Sequence, residues 1–180
     1  MRFTQTKLAD AFIIDVEPFT DQRGFFARAY DAREFAEHGL TPDVAQANLS
    51  YNTKAGTVRG MHYQVAPTTE AKLVRCVRGA LYDVIVDMRP ESPTYLQWVG
   101  VELSVDNGRA LFVPEMFAHG FQTLDDDVLA YYQVSEFYTP GTEHGLRYDD
   151  PALGIQWPAE VTVISDKDAS WELLERADLR

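Results

Sequence analysis

The sequence predicts a mostly β protein whose antiparallel strands form a sandwich or a barrel, with a few short helices. Apolar and polar residues alternate along most of the 180-residue chain, as they do in strands that have one buried face. The alternating runs are short and closely spaced, and turns rich in Gly, Pro, Asp and Asn separate them. Short strands at this spacing are typical of antiparallel sandwiches and barrels.

The strand candidates follow one another through most of the chain. In chain order they occupy residues 12–19, 25–30, 44–52, 58–64, 72–77, 80–88, 95–105, 109–113 and 128–135. The clearest alternation lies in the run that ends at Val105, where every second residue from Val99 onward is apolar. Asn107-Gly108 follows at once and suits a turn with positive φ, so residues 95–113 are predicted to form a hairpin.

Two short helices are predicted between and after the strands. Asp31 is a good N-cap for a helix over 32–38, because Glu34 occupies the capping-box position and Gly39 favours a stop. A second helix is predicted over 171–177, with Asp168 or Ser170 at its start.

Length and composition predict one globular domain over residues 1–180. A chain of this length buries roughly 70% of its unfolded surface around a single core. Hydrophobic residues make up 46% of it and charged residues 24%, so disorder is not expected. Cys76 is the single cysteine and has no internal disulfide partner. The sequence shows no signal-peptide pattern and no run of 18 apolar residues, which predicts a cytoplasmic protein with no membrane partner.

The net charge of -12 argues against nucleic acid as a partner. Binding to a phosphate backbone needs a surplus of Lys and Arg over a broad face. A small anionic ligand is compatible with this charge, because a diphosphate needs only two or three convergent cations. Arg23, Arg59 and Lys72 are candidates for such cations.

Two histidine segments combine residue types that carry chemistry. They are Arg59-Gly60-Met61-His62-Tyr63-Gln64, which Lys72 follows, and Pro114-Glu115-Met116-Phe117-Ala118-His119-Gly120. Imidazole titrates near neutral pH and serves as a general base, a general acid or a metal ligand. Histidines that are only hydrogen-bonded within the core are the alternative interpretation of both segments.

The second segment resembles a conserved motif of the cupin barrels. The residues at the motif positions are Gly108, Pro114, Met116, His119 and Thr123, of which the Met and the Thr replace a Gly and an Asn. Metal-binding cupins have two histidines at i and i+2 on the first motif, but Gln64 follows His62 here and its amide is a poor ligand. A metal site formed by His62, His119 and Glu70 stays open as an alternative.

The chain as a whole resembles the dTDP-4-dehydrorhamnose 3,5-epimerase family, in motifs that occur in family order. These motifs are Asp21-Gln22-Arg23-Gly24-Phe25-Phe26, Gln46-Ala47-Asn48-Leu49-Ser50, Arg59 to Gln64, Lys72-Leu73-Val74-Arg75-Cys76, Ala118-His119-Gly120-Phe121, Tyr132 to Tyr138, and Ser165-Asp166-Lys167-Asp168. The resemblance implies a cupin jelly-roll barrel that forms a homodimer and uses neither a metal nor another cofactor.

The resemblance also implies roles for four catalytic residues. His62 corresponds to a general base, and Asp168 to the carboxylate that orients it. Tyr132 corresponds to the acid on the opposite face, whereas the adjacent Tyr131 points to the other side of the strand. Lys72 corresponds to the cation beside the enolate oxygen. These residue types suit proton abstraction next to a carbonyl, which needs a base, an acid and stabilisation of the developing charge.

Seven further residues are expected to bind the substrate, on the same resemblance. They are Arg23 and Arg59 for the diphosphate, Gln46 and Asn48 along the nucleotide and sugar, His119 for the sugar or oxyanion, Tyr138 for packing against the substrate, and Arg28. Arg28 replaces a Glu that the family commonly has near the nucleoside, which puts thymidine in doubt. Met116 is a second departure, in a turn where it affects backbone geometry.

The expected activity is inversion of C3, C5 or both in a 4-keto-6-deoxyhexose linked to a nucleoside diphosphate. The 3,5-epimerase is the leading interpretation, and single-site epimerases acting on dTDP-, GDP- or CDP-linked sugars are alternatives. A metal-dependent cupin enzyme and a non-catalytic binding protein for nucleotide sugars remain alternatives of other classes. In the expected homodimer, the N-terminal strands cross to the partner's sheet and bring Arg23 to the other subunit's site.

Overall fold

The computed structural model describes residues 1–41 and 43–175, which contain thirteen strands and two short helices. The strands are β1 (Arg2–Gln5), β2 (Phe12–Asp15), β3 (Phe19–Asp21), β4 (Gly24–Phe26), β5 (Gln46–Asn52), β6 (Val58–Gln64), β7 (Lys72–Arg78), β8 (Ala80–Asp87), β9 (Trp98–Ser104), β10 (Ala110–Val113), β11 (Phe117–Thr123), β12 (Val128–Val134) and β13 (Glu143–Gly145). The helices are α1 (Ala32–Glu37) and α2 (Asp166–Ala169). No helix in the described part of the chain is long and apolar enough to cross a membrane.

Two antiparallel sheets face each other across the main core. One has six strands in the order β1-β2-β10-β7-β12-β5, and the other has five in the order β13-β6-β11-β8-β9. Alternate residues of both sheets point inward, for example Val74 of β7 and Ile85 of β8, and form the largest apolar cluster. The prediction of a mostly β fold with antiparallel sheets is confirmed.

The outer faces of the sheets are covered by other parts of the chain. Helix α1 places Phe35 against Phe112 on the outside of the six-stranded sheet. The segment that contains Leu146 and Ile155 covers the outside of the five-stranded sheet near Met61. Because both coverings lie outside, the space between the sheets is left for the core and for a cleft.

The predicted hairpin over residues 95–113 is wrong, because its two strands belong to different sheets. Strand β9 pairs with β8 in the five-stranded sheet, whereas β10 pairs with β2 and β7 in the six-stranded sheet. The side-chain oxygen of Asn107 accepts hydrogen bonds from the amides of Ser104 and Arg109, and Gly108 has a φ of +59°. Asn107-Gly108 therefore does form a tight turn, but the turn leads the chain from one sheet to the other.

The first predicted helix is confirmed and the second is wrong. The Asp31 carboxylate accepts the Arg33 amide at the start of α1, and Gly39 has a φ of +70° just beyond its end. The second helix lies earlier than predicted, because the Ser165 hydroxyl caps α2. Residues 171–175 are not helical, and 176–177 lie outside the described residues.

Three strands, β1, β11 and β13, share no residue with the strand candidates, and β3 shares only Phe19. The residue before β11 has the backbone conformation that glycine usually supplies, since Met116 has a φ of +59°. This is the position at which Met replaces the cupin glycine.

The N-terminal strands β1 and β2 join the six-stranded sheet of their own chain, and their expected crossing to a partner subunit stays a prediction. Strand β2 bonds to β10, and β1 bonds to β2. The hairpin of β3 and β4 instead projects from the sheets and pairs only with itself among the described strands. Its Phe19, Phe25 and Phe26 side chains are exposed.

Candidate active site

The candidate site is a cleft between the two sheets, made of two adjoining cavities. The inner cavity of about 200 Å³ is lined by Ser50, Arg59, His62, Lys72, His119, Phe121, Tyr132 and Asp168. The outer cavity of about 210 Å³ is lined by Gln46, Asn48, His62, Tyr63, Gln64, Glu70, Lys72, Tyr132, Val134, Tyr138 and Glu143. His62, Lys72 and Tyr132 line both cavities. The cleft therefore brings together all four residues expected to be catalytic.

A larger cavity of about 670 Å³ lies elsewhere, beside the β3–β4 hairpin. Of the predicted site residues it contains only Arg28, and neither of the histidines in the two segments. It is an open groove with few groups suited to proton transfer. The smaller cleft is therefore the better candidate, because titratable groups converge there.

A β-bulge in β6 gives the cleft two of its side chains. His119 of β11 lies opposite His62, and Phe121 lies opposite Arg59, so three residue steps on β6 match two on β11. In a regular strand, residues three apart point to opposite faces. The extra residue of the bulge puts Arg59 and His62 on the same side of the sheet, where both line the cleft.

Glycines on the facing strands allow this bulge to form. A Cβ added to Gly60 would lie 2.5 Å from the Cα of Gly120, and one added to Gly120 would lie 2.6 Å from the sulfur of Met61. Gly60 also has a φ of +121°, which side chains disfavour. The glycine of the first histidine segment and that of the second are therefore close partners in the structure.

His62 and Asp168 form a hydrogen-bonded pair. Nε2 of His62 lies 2.7 Å from Oδ1 of Asp168, and Oδ2 of the same carboxylate accepts the Gly60 amide at 3.1 Å. Although burial raises the pKa of Asp168, the bonds from His62, Gly60 and Ser165 outweigh it and hold the pKa below its ordinary value. With Nε2 bound to an ionised carboxylate, a neutral His62 has its lone pair on Nδ1.

The other ring nitrogen of His62, Nδ1, faces the cleft. Its nearest acidic oxygen is Oε1 of Glu143, at 3.9 Å from Nδ1, which is too far for a hydrogen bond. The Trp171 ring packs edge-on beside the imidazole, with 6.4 Å between ring centroids. The arrangement can therefore present an unprotonated nitrogen to a C–H bond in the cleft.

Lys72 and Tyr132 approach the cleft from the opposite, six-stranded sheet. Tyr132 lies opposite Val74 in the β12–β7 register and Lys72 lies opposite Val134, so the two side chains are diagonal neighbours. The Lys72 ammonium is paired with Glu70, and both side chains are largely buried. Burial, and to a smaller extent the charge of Glu70, raises the pKa of Tyr132, while Arg59 lowers it. Tyr132 is therefore a protonated phenol near neutral pH.

His119 lies deeper in the cleft than His62. Its Nε2 lies 2.7 Å from Oδ1 of Asp83, a completely buried residue of β8. The prediction included His119 but not Asp83. Asp83 interrupts the apolar alternation of β8 between Leu81 and Ile85, and a charged residue in such a run is the signal that was available.

Four of the expected binding residues lie in the cleft: Arg59 lines the inner cavity, whereas Gln46, Asn48 and Tyr138 line the outer one. Nε of Arg59 donates to the side chain of Asn52 at 2.7 Å, and the exposed guanidinium points outward. Oε1 of Gln46 accepts the Tyr138 amide at 2.9 Å, and Asn48 lies directly opposite Tyr132 on β5. The Tyr138 side chain is mostly exposed, so its ring is accessible for stacking.

Arg23 and Arg28 are not brought into this chain's cleft. Arg23 lies at the tip of the β3–β4 hairpin, exposed and bound to Asp21. Arg28 lies in the large groove, 3.8 Å from Asp31. Their expected contacts with substrate stay predictions.

The cleft also contains acidic residues that were not among the expected catalytic and substrate-binding residues. Glu143 lines its outer part and is bound to Lys167, with 2.5 Å between Oε2 and Nζ. Glu70 pairs with Lys72. Lys167 directly precedes Asp168 in a motif that was recognised, whereas β13 has only three residues and shows no alternation that would identify Glu143.

The residues considered for a metal site have other partners. Glu70 pairs with Lys72, His62 with Asp168 and His119 with Asp83. The amide oxygen of Gln64 accepts a hydrogen bond from Thr142 at 2.9 Å. Within residues 1–41 and 43–175, no group of three or more His, Cys, Asp or Glu side chains is arranged to hold a metal ion.

Comparison with known proteins gives concordant matches along the chain. A sequence model of the family described as dTDP-4-dehydrorhamnose 3,5-epimerase matches residues 5–176. The dTDP-4-dehydrorhamnose 3,5-epimerase of Sinorhizobium fredii is 44% identical over 171 residues, which cover 94% of this chain and 88% of the relative. The dTDP-4-dehydrorhamnose 3-epimerase of Streptomyces niveus is 40% identical, and the match covers 98% of this chain and 86% of the relative.

A solved structure matches equally well. The crystal structure of dTDP-4-dehydrorhamnose 3,5-epimerase from Bacillus anthracis, with TDP and PPi bound, superposes with a TM-score of 0.92 at 42% identity. The match covers 96% of this chain and 99% of that one. This chain therefore shares its fold with that structure over nearly the whole length of both chains.

Proposed function

This chain belongs to the dTDP-4-dehydrorhamnose 3,5-epimerase family and is an epimerase with the cupin fold, and we propose how its cleft works. The substrate is a 4-keto-6-deoxyhexose on a nucleoside diphosphate, inverted at C3 and C5. The observation that carries the proposal is the position of a His–Asp pair and a tyrosine on opposite sheets of one cleft, with Lys72 beside them.

The chemistry follows from that geometry. Nδ1 of His62 takes the proton from the carbon next to the C4 ketone, and the electrons of the C–H bond move to the C4 oxygen to give an enolate. The Lys72 ammonium stabilises this oxygen, because a full positive charge in a closed cleft interacts strongly with it. Tyr132 then donates its phenolic proton to the same carbon from the other face, which inverts the centre.

Both groups must return to their starting state before the next inversion. The tyrosinate takes a proton from water, and the imidazolium of His62 gives one to water, so that no net proton is consumed. Repetition at the second carbon inverts C3 and C5 in turn. The same base and acid also serve an enzyme that inverts one centre, and the Streptomyces niveus relative supports a C3 epimerase as the second candidate.

The outer cleft suits the nucleotide. Arg59, which lines the inner cavity, offers an exposed guanidinium for the diphosphate, and the exposed Tyr138 ring of the outer cavity offers a surface for a base. The dTDP-linked sugar is the leading substrate because the Bacillus anthracis relative has TDP bound. A GDP- or CDP-linked sugar remains an alternative through Arg28, which lies outside the cleft of its own chain.

Solvent exchange tests the reaction directly. We expect a dTDP-4-keto-6-deoxyglucose sample incubated with the protein in D₂O to gain deuterium at C3 and C5, as read by NMR. Deuterium at C3 alone would support the second candidate. Heat-denatured protein is the control, and a parallel series with GDP- and CDP-linked sugars tests the nucleotide. The proposal is wrong if no nucleotide sugar exchanges, and tight binding without exchange would identify a binding protein.

We also propose that the protein is a cytoplasmic homodimer. The β3–β4 hairpin exposes Phe19, Phe25 and Phe26 by 77%, 69% and 68%. Three exposed phenylalanines on one projecting hairpin form an apolar surface of the kind that protein interfaces cover. Arg23 at the hairpin tip would then lie within a partner subunit's reach. The single unpaired thiol, Cys76, suits a reducing compartment.

Light scattering tests the dimer. We expect a mass of about twice 20.4 kDa for the unchanged chain and a shift towards the monomer when Phe19 and Phe26 are both replaced by serine. Val105→Ser is the matched control, since Val105 is an exposed apolar residue away from the hairpin. A monomeric mass for the unchanged chain would contradict the proposal.

A further inference from the structure

The guanidinium of Arg59 is held by neutral hydrogen-bond acceptors. Its Nε donates to Oδ1 of Asn52 at 2.7 Å, and its Nη2 donates to the carbonyl of Tyr51 at 3.4 Å. Arg59 forms no ion pair with a carboxylate within residues 1–41 and 43–175, whereas Arg23 and Arg89, for example, are each paired with an aspartate. The protein therefore orients the Arg59 cation without neutralising it.

Asn52 is suited to this contact because both ends of its side-chain amide are engaged. The residue is buried, with 3% of its surface exposed, and its Nδ2 donates to the carbonyl of Ser50 at 3.1 Å. A backbone carbonyl can only accept a hydrogen bond and a guanidinium can only donate one. The bond to Ser50 therefore fixes which end of the amide faces Arg59, and that end is the oxygen.

The bond between Asn52 and Arg59 joins the two sheets beside the cleft. Asn52 is the last residue of β5 in the six-stranded sheet, and Arg59 is the second residue of β6 in the five-stranded sheet. Asn48 of β5 lines the outer cavity and Ser50 lines the inner one. Asn52 continues this row of alternate residues, so its amide lies at the end of β5 where Arg59 enters the inner cavity.

The two protein contacts occupy one edge of the Arg59 guanidinium. Nε–H and one N–H of Nη2 point in the same direction, and these are the donors that Asn52 and Tyr51 use. The edge formed by Nη1 and Nη2 has no partner among the described residues. Such an edge can bind a phosphate through two parallel hydrogen bonds. Because Arg59 is exposed and lines the inner cavity, a ligand in the cleft can reach this edge.

We propose that Asn52 is a positioning residue that holds Arg59 with its Nη1–Nη2 edge free, and that this position must be neutral for the cleft to bind a diphosphate. The proposal rests on the proposed function, in which Arg59 binds the diphosphate of the substrate. An aspartate has nearly the shape of an asparagine, but its charge would pair with Arg59 and compete with the phosphate oxygens. Its second oxygen would also face the Ser50 carbonyl without a hydrogen to donate.

Calorimetric titration with TDP, inorganic pyrophosphate and thymidine tests the proposal. We expect Asn52→Asp to weaken binding of TDP and of pyrophosphate by about 10–100-fold, as loss of hydrogen bonds to a charged group does. Thymidine has no phosphate, and its affinity should change by less than about twofold. TDP affinity of Asn52→Asp within about twofold of the unchanged chain, or an equal loss for thymidine, would overturn the proposal.

Asn107→Asp is the matched control, since it makes the same change of charge and shape away from the cleft. Oδ1 of Asn107 accepts the amides of Ser104 and Arg109, and its Nδ2 donates to the carbonyl of Glu102. Asn107 lines neither cavity of the cleft. We expect both aspartate variants to lower the melting temperature and only Asn52→Asp to weaken TDP binding. An equal loss of TDP affinity in both variants would assign Asn52 a purely structural role.

A double-mutant cycle tests whether Asn52 acts through Arg59. We expect Asn52→Ala to raise the KM for dTDP-4-keto-6-deoxyglucose by about 3–10-fold and to leave kcat within about threefold, because Arg59 binds a part of the substrate that does not react. In the Arg59→Gln background, Asn52→Ala should raise KM by no more than about twofold. Losses that multiply would contradict the proposal. The alanine variant also serves if Asn52→Asp does not fold.

Pyrophosphate binding separates this proposal from the proposed function. If no nucleotide sugar exchanges deuterium but pyrophosphate binding still depends on Asn52, the epimerase mechanism fails and the positioning of Arg59 stands. If the unchanged chain binds neither TDP nor pyrophosphate, Arg59 does not bind a diphosphate and the role of Asn52 is overturned with it.

Discussion

Replacing His62 with alanine should lower kcat by about 10²–10⁴, the usual contribution of a positioned general base, while KM changes little. The loss is expected because Nδ1 of His62 is the unprotonated nitrogen that the Asp168 pair presents to the cleft. The steady-state kcat and the rate of deuterium incorporation should fall together, because no proton leaves carbon without the base. This variant therefore separates binding from chemistry.

The control for this variant is His38→Ala. His38 stacks on Phe3 beside α1 and lines neither cavity of the cleft, so its loss should affect stability more than turnover. Thermal unfolding of both variants separates a loss of chemistry from a loss of folded protein. Turnover of His62→Ala within about threefold of the unchanged chain would remove His62 from the role of base.

Replacing Tyr132 with phenylalanine should lower the rate of inversion more than the rate of deuterium exchange. The change removes one oxygen and leaves the ring that packs against the core. His62 can still take a proton and return deuterium to the same face, so we expect deuterium to enter with retained configuration. Inversion should fall by about 10²–10⁴, the usual effect of losing a positioned acid.

The pH dependence of the unchanged chain gives a second check on Tyr132. A general acid acts only in its protonated form, and burial with the charge of Glu70 raises the pKa of Tyr132 above its ordinary value of about 10. Ionisation of Tyr132 should therefore cause no loss of kcat as pH rises from 7 to about 10. A loss of kcat at basic pH that is centred well below about pH 10 and disappears in Tyr132→Phe would contradict the raised pKa of Tyr132.

Tyr131→Phe is the matched control for the acid. Tyr131 is the next residue on β12 and lies opposite Leu49, on the outer side of the sheet. The Tyr131→Phe variant should have rates of exchange and of inversion close to those of the unchanged chain. If the two phenylalanine variants lost inversion equally, the assignment of the acid would be wrong.

The individual strands were predictable because alternation is local. The run from Val58 to Gln64 was predicted with its observed bounds, and β7, β8 and β12 differ from the prediction by one residue. The sheet to which each strand belongs was not predictable from alternation. The Asn107-Gly108 turn is compatible with a hairpin or with a crossing between sheets, and the pairing partners of β9 and β10 decide which one forms.

Several missed elements are short, whereas the missed strand β11 has seven residues that are nearly all buried, so that they show no alternation. A strand of three or four residues, such as β1 or β13, is too short for alternation to be distinguished from chance. Helix α2 has four residues and depends on one cap, the Ser165 hydroxyl. In contrast, α1 is longer and has the Asp31 cap and the Gly39 stop, both of which the sequence displays.

The site was partly predictable because family motifs mark positions, not contacts. The motifs identified the residues that converge in the cleft, including Asp168, which is 106 positions from His62. They did not reveal Asp83, because the pairing of β8 with β11 that brings it to His119 is a tertiary feature. Arg23 and Arg28 lie outside the cleft, and their expected contacts with substrate stay predictions.

The bulge in β6 has a consequence for the kind of molecule that the cleft accepts. Because Arg59 and His62 belong to one short stretch of backbone, the bulge fixes the spacing of their Cα atoms, and the hydrogen bond from Nε of Arg59 to Asn52 restrains the guanidinium. Side-chain repacking elsewhere in the barrel has little means of altering it. This stretch of β6 therefore limits the separation that a substrate can have between its anionic group and its reactive C–H bond. Molecules in which this separation differs are disfavoured.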